Sequence, residues 1–369
     1  MGLNVAVADY NPNAVGIPYA DKYYNASTID IPAICAVARD YQPDGIMTLA
    51  TDMPMRSIAA ATTLLGLPGI SVETALKSTD KYEMIKAFKA NNIESPWYYY
   101  LKDQADLSSC CSAFTYPCVM KPTDNAGSRG VVLVTDASEL TDAYQYSRSQ
   151  SRAGHVIVEE YMQGKEVSVE IIVYQGVPHV LAVTDKLTTG APYFVEMGHS
   201  QPSQLAETDL ARIRDLASRA VLAVGIDNCP AHVEIILTAD GPKMVELGAR
   251  MGGDCITTHL VPYSTGIDMV KAAIEISLGI EPDFTPTLHK AGAVRFLGSE
   301  IGVIRSIEGK EKALQVPNVM SVQMFKQEGD VAQGVHNSLD RVACVLAQAD
   351  AVPLAVEACQ KGLDLIEIK

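Results

Sequence analysis

Glu234 and Glu246 flank the sequence Thr238-Ala239-Asp240-Gly241-Pro242, and the midpoint of the two positions falls on Asp240. A β-hairpin centred there sets the carboxylates opposite each other on adjacent strands, with Cβ atoms about 5 Å apart. Like charges so close destabilise the pairing, and a hard divalent cation with oxygen ligands is the usual compensation. Alternation along the second strand sends Glu246, Gly248 and Arg250 to one face. A guanidinium beside two acids and a metal suits a phosphoryl group, because its planar fork meets two oxygens at once. The competing structural readings are a solvent-facing acid pair and an arginine that merely pairs with one carboxylate.

Two weaker signals precede the hairpin. In Lys121-Pro122-Thr123-Asp124-Asn125-Ala126-Gly127-Ser128-Arg129-Gly130-Val131 a strand ends in lysine and runs into a turn of small residues. Consecutive N–H groups in such a turn form an anion-binding concavity, and Gly130 lets phosphate approach the backbone. The segment lacks the Walker spacing, so a plain hairpin turn competes with this reading. From Val156 to Glu170 a buried strand ends in Glu159, Glu160 and Tyr161, and a glycine turn follows before Glu166. Such a strand end offers amides and carbonyls to a purine and a carboxylate to ribose hydroxyls; two strands with solvated acids are the alternative.

The elements that must position these residues are those of α/β and α+β units. Leu3 to Val7 and Gly45 to Leu49 read as buried strands, followed by a helix from Arg56 to Leu65. An open doubly wound sheet normally starts with a strand, a glycine turn and a helix. By that pattern, its opening βα unit would lie before Met1. Helical spacing covers Ser78 to Asn92 and ends before Pro96. Short strands at Tyr116 to Met120, Gly130 to Val134 and Val156 to Glu160, with a helix from Ala137 to Ser149, make a small lobe. Strands at Val167 to Val173, Val180 to Thr184, Ala231 to Leu237 and Lys243 to Leu247 surround a helix from Asp209 to Val224, and a further helix runs from Ile267 to Leu278. From Ala291 onward, short strands and a final helix near Pro353 to Leu363 predict a β-rich domain.

Composition narrows the function classes. At 369 residues the chain is long enough for two or three domains with a cleft between them. Its net charge of -15 argues against a nucleic-acid partner, which demands dense Lys and Arg. No apolar run approaches the roughly 20 residues of a membrane helix, and no export signal is visible, which places the expected location in the cytoplasm. The eight cysteines show no Cys-x-x-Cys pair, so reduced and mostly buried thiols are expected.

Taken in order, Lys81, the Lys121 to Val131 loop, the Glu159 to Glu166 segment and the Glu234 to Arg250 hairpin resemble the ATP-grasp superfamily. The run Glu246-Leu247-Gly248-Ala249-Arg250-Met251-Gly252-Gly253-Asp254 and the stretch from Ala293 to Ile368 look most like the branch of L-amino-acid ligases. The resemblance implies a truncated Rossmann-like domain (1–76), an ATP-grasp domain (77–290, lid about 98–160) and a small β-rich C-terminal domain (291–369). It implies ATP and Mg2+, with Mn2+ as an alternative, and small-molecule carboxylate and amine substrates, amino acids foremost. A homodimer is compatible with it. Lys81 and Lys121 would contact phosphates, Ser128 and Gly130 would belong to the lid, Glu159 to Tyr161 would hold adenine and Glu166 ribose. Glu234 and Glu246 would bind the metal, Arg250 would steady the phosphoryl group, and His199, within Glu196-Met197-Gly198-His199-Ser200, would face the amine or product. Many ATP-grasp enzymes carry an asparagine metal ligand where Gly248 stands, so a second magnesium ion is in question. Glycinamide-ribonucleotide-type synthetases and bicarbonate-activating carboxylases share the fold, and a non-catalytic nucleotide-binding subunit is the reading from another class.

Overall fold

The computed structural model describes residues 1–369. Its first unit is a two-stranded parallel sheet, β1 (Ala6–Asp9) beside β2 (Lys22–Asn25), with helices α1 (Ile31–Tyr41) and α2 (Met55–Leu65). The expected strand at 45–49 forms no ladder. A strand exists only by pairing, and this sheet ends at β1 and β2. The segment instead anchors the cleft floor: Ile46 packs into the core and the Leu49 carbonyl accepts from Met251 N at 3.1 Å.

Helix α3 (Val72–Lys77) leads into α4 (Lys81–Ala90). The latter starts at Lys81, not Ser78, because the Asp80 side chain accepts from the N–H groups of Tyr82 and Glu83 and caps it. Lys81 therefore sits in the first turn, where the helix dipole disfavours a cation and a nearby acid is needed.

The lid is an antiparallel sheet in the order β3-β6-β4-β5. It comprises β3 (Tyr98–Leu101), α5 (Gln104–Cys110), β4 (Cys118–Pro122), β5 (Val132–Val134), α6 (Leu140–Ser149) and β6 (Val156–Glu160). Strand β3 escaped the sequence reading because its three tyrosines offer no polar and apolar alternation. Cys118, Met120, Val156 and Val158 point into the lobe's own core, which leaves Lys121 and Glu159 on the opposite, cleft-facing parity.

The remaining elements are β7 (Lys165–Tyr174), β8 (Val177–Thr188), β9 (Glu196–Gln201), α7 (Glu207–Val224), β10 (Cys229–Thr238), β11 (Gly241–Gly248), α8 (Val261–Thr265), α9 (Met269–Ser277), β12 (Ala291–Leu297), β13 (Val319–Met324), β14 (Ala343–Ala349) and α10 (Val352–Leu363). Their strands form one antiparallel sheet ordered β11-β10-β7-β8-β9-β12-β14-β13. The C-terminal strands thus extend the central sheet, joined through the β9 and β12 pair. Val167, Val169, Ile171, Val173, Ala231, Val233 and Ile235 bury against α7, α4 and α2. Opposite parity turns Glu170, His232 and Glu234 to the other face.

The hairpin β10–β11 differs from the expected one in a way that matters. Its two-residue turn is Ala239-Asp240, with Thr238 opposite Gly241, so the ladder would set Glu234 against Val245. A one-residue bulge at Val245 restores the acids to register, and Glu234 pairs directly with Glu246. The bulge is also why Met244 and Leu247, three residues apart, both face the core.

Candidate active site

Between the lid and the central sheet lies a cleft of about 1520 Å³. Single ligand sites span roughly 300–1,000 Å³, so this one has room for a nucleotide and a second molecule. Its walls include Lys81, Lys121, Ser128, Glu159, Glu160, Tyr161, Glu166, His199, Glu234, Glu246 and Arg250. Gly130 is the exception among the residues singled out from the sequence. It turns away from the cleft, where a Cβ would come within 2.8 Å of Gln150 Cβ, so its smallness serves packing of the lid.

At the lid end, the Lys121 ammonium lies 2.6 Å from Glu159, both side chains almost wholly buried. Lys243 binds both oxygens of Glu160 at 2.7 and 3.0 Å. The loop above them is held by Asp124, whose carboxylate accepts from Ser151 Oγ and from the N–H groups of Arg152 and Ala153. Gly127 and Ser128 take left-handed φ angles of 67° and 58°. The N–H groups of Gly127, Ser128, Arg129 and Gly130 donate to no backbone carbonyl, which leaves a row of donors suited to an anion.

Across the cleft, the acid pair is neutralised by side chains. Lys81 Nζ sits 2.9 Å from Glu246 and donates to the Asn125 carbonyl at 2.8 Å, so it ties α4 to the lid loop. Lys186, buried in β8, donates to Glu166 and, at 2.9 Å, to Glu234, with Glu196 3.7 Å away. Burial alone would lower the Lys186 pKa, yet Glu234, Glu166 and Glu196 hold it well above the ordinary range. Glu234 is held well below its ordinary value against burial, chiefly by Lys186 and then His232. Burial likewise opposes ionisation of Glu246, and Lys81 outweighs it. For Glu166 burial wins and the pKa rises. His232 lies 2.9 Å from the fully buried Glu170 and 3.4 Å from Glu234. Burial would lower its pKa, but Glu170 raises it to about 9, so it is an imidazolium at neutral pH.

Arg250 lies just beyond the end of β11. Its Nε and Nη2 each donate to Asp52 at 3.1 Å, a two-point pair with the loop before α2. Gly248 explains the approach: a Cβ there would lie 2.6 Å from Asp52 Oδ1 and 3.0 Å from Arg250 Nε. The space that a side chain at position 248 would enter is filled here by Asp52 from the N-terminal unit. His199, on β9, is buried; its Nε2 lies 3.3 Å from Asp254 and its Nδ1 has no partner.

Sequence reasoning missed Asp52, Glu170, Lys186, His232, Asp254 and Arg341. Strand parity offered a signal for Glu170 and His232, which share the face of Glu234. Lys186 faces Glu166 across the β7–β8 hairpin, a pairing that the sequence reading did not count out, and the others pair with residues distant in sequence.

Residues 114–258 match the ATP-grasp domain, and residues 295–369 match the L-amino acid ligase C-terminal domain 2. The fold is similar to that of L-amino acid ligase from Bacillus licheniformis, with a TM-score of 0.86 at 24% identity over 100% of this chain and 93% of that one. In sequence, the chain is 27% identical over 269 residues to alanine–anticapsin ligase of Bacillus subtilis, covering 67% of this chain and 56% of the relative. It is 23% identical to the formate-dependent phosphoribosylglycinamide formyltransferase of Sulfurisphaera tokodaii, covering 99% of this chain and 91% of the relative. The chain spans 63%, 56% and 27% of the lengths of three curated relatives, the Bacillus subtilis enzyme and human carnosine synthase 1 among them. No helix is long and apolar enough to cross a membrane. The cleft that gathers these acids and lysines thus lies within an ATP-grasp domain, which is followed in this chain by an L-amino acid ligase C-terminal domain 2.

Proposed function

We propose that the protein joins a carboxylate to an amine at the expense of ATP. The carboxylate oxygen attacks the γ-phosphorus and ADP departs, leaving an acyl phosphate. The amine then attacks the acyl carbon, phosphate leaves, and the nitrogen releases its proton to solvent. The observation that carries this reading is the convergence, in one cleft large enough for two ligands, of an opposed acid pair, a fixed guanidinium and three largely buried lysines. No side-chain nucleophile is needed; the chemistry is positioning and charge neutralisation.

In this reading Lys81, Lys121 and the amides of the Ser128 turn take the phosphates, Glu159 to Tyr161 meet the adenine, and Glu166 accepts from the ribose. Arg250 stabilises the transferring phosphoryl group and then the oxyanion of the tetrahedral intermediate. Glu234 and Glu246 would hold magnesium or manganese, since two facing carboxylates offer oxygen donors suited to a hard cation. Bound there, the ion would neutralise charge between the β- and γ-phosphates. The lid excludes water that would hydrolyse the acyl phosphate. Relatives named as ligases of amino acids support an amino acid as one substrate. Division at 76 and 290 and a cytoplasmic location, the latter consistent with eight free cysteines, belong to the same reading.

The test is ADP and phosphate release with ATP, Mg2+ and pools of amino-acid pairs. Release that requires two partners, with an amide product by mass, supports ligation. ATP-dependent thermal stabilisation without ADP from any pool would leave a nucleotide-binding module instead.

A further inference from the structure

In the reading above, nucleotide and metal lie between the lid and the Glu234–Glu246 pair. The opposite end is walled by His199 on β9, by Asp254 in the turn after β11 and by Ser338 from the C-terminal domain. Asp254 and Cys255 both hold left-handed φ angles, 51° and 65°, uncommon for residues with side chains. Backbone of this kind persists only where its surroundings impose it.

We infer that Arg341, supplied by the C-terminal domain, is the positioning residue that imposes it, and that through Asp254 and His199 it shapes the subsite for the second substrate, the amine-bearing molecule; this rests on the ligase reading above. Arg341 is buried and reaches out from the turn after the short helix Ser338–Asp340. Its two terminal nitrogens donate to the two oxygens of Asp254 at 2.7 Å each. The same guanidinium donates to the Glu196 carbonyl on β9 and to the Ser338 carbonyl, and it lies 3.9 Å from the Phe296 ring centroid on β12. One side chain therefore fixes the 254–255 turn, the start of β9 and its own loop against a strand of the C-terminal sheet. Asp254 in turn reaches the His199 ring, whose other nitrogen stays free of protein partners. Without Arg341, the partly buried Asp254 carboxylate would lose its only fixed cation and the turn its anchor. A lysine could neutralise the charge but could not make the two-point hold.

Arg341→Gln and Arg341→Lys, compared with wild type by hydrogen exchange, separate positioning from mere folding. The expected result is faster exchange at 196–200 and 253–260 in both variants, with exchange at 118–134 and the ATP-dependent rise in melting temperature unchanged. In turnover, KM for the amine rises by at least about tenfold, the factor a lost charge-assisted hydrogen bond carries, while KM for ATP stays put. Should Arg341→Gln fail to fold, Arg341→Lys carries the same comparison. Unchanged exchange at 196–200 and 253–260 overturns the inference, as does loosening that spreads equally to the lid. If the wild type shows no ligation with any pool, the ligase reading fails, and the exchange pattern still decides the role of Arg341.

Discussion

Restoring a side chain at Gly248 tests whether Asp52 has taken its place. A Cβ at 248 would lie 2.6 Å from Asp52 Oδ1, well inside contact distance, so Gly248→Ala should cost about 2 kcal/mol by overpacking. Asp52 and Arg250 are only 24% and 13% exposed, so the small value of a surface ion pair does not apply. Asp52→Ala strips two charge-assisted hydrogen bonds from a buried guanidinium and should cost about 3 kcal/mol. Independent effects would sum to about 5 kcal/mol in the double variant. Yet the atom that the new methyl strikes is gone in the Asp52→Ala background, and what remains is Arg250 Nε at 3.0 Å, on a side chain now free to yield. The double variant should lose only about 3 kcal/mol, a coupling of about 2 kcal/mol. Urea unfolding followed by far-ultraviolet circular dichroism, run on the four proteins together, measures it. Additivity to within about 0.5 kcal/mol would show that Asp52 and position 248 do not share the space, and the account of this departure would be wrong. Gly248→Asn, which brings back the residue many ATP-grasp enzymes have, should be worse than Gly248→Ala.

Glu246→Gln keeps shape and removes charge, so ADP release should vanish while the protein stays folded, at a melting temperature lowered by the loss of the Lys81 pair; wild-type turnover would end the metal assignment. Lys186→Met leaves Glu166, Glu196 and Glu234 without their shared cation and should destabilise the protein by about 3 kcal/mol or more. In that variant millimolar Mg2+ should raise the melting temperature more than in wild type, and an equal rise would argue that the ion does not bind beside Glu234. Burial pushes the thiols of Cys118 to about 11 and of Cys229 and Cys359 to about 12. The folded values exceed the unfolded value of about 8.5, so their contribution to stability is complete below that pH and is lost as pH rises towards the folded values. Iodoacetamide at pH 8 should accordingly spare these three until the protein is unfolded, and mass spectrometry of the alkylated native protein reads this directly.

What could be read along the chain was what depends on near neighbours. The core-facing strands β7 and β10 alternate from Val167 to Ile171 and from Ala231 to Ile235, and α7 shows its apolar stripe plainly, so their existence and faces were legible. The lysine near the end of β4 and the acids that end β6 were legible for the same reason. Where two departures from regularity compensate, the reading came out right by a wrong route. Counting from Asp240 put Glu234 opposite Glu246, but the true turn is one half-residue earlier and the bulge at Val245 makes up the difference. Where regularity lacks a partner, the reading failed: 45–49 has the composition of a buried strand and no edge to join.

The acid pair shows the limit most clearly, because repulsion between Glu234 and Glu246 was legible and its remedy was not. A local argument called for a cation and named a metal. The fold answers first with Lys186 from β8, His232 backed by the buried Glu170, and Lys81 from the capped first turn of α4, partners 48, 2 and 165 residues away along the chain. A bound metal ion must therefore displace or share existing ion pairs. Lys81 also holds the lid through the Asn125 carbonyl, so any cation that draws Glu246 away frees the ammonium for the phosphates arriving beneath that same loop. Metal binding, phosphate binding and lid position are in this way coupled through one side chain. That coupling gives Lys81→Met a distinct signature: the lid segment 123–131 should exchange hydrogen faster even without nucleotide, whereas loss of a simple phosphate contact would leave the ligand-free lid as it was.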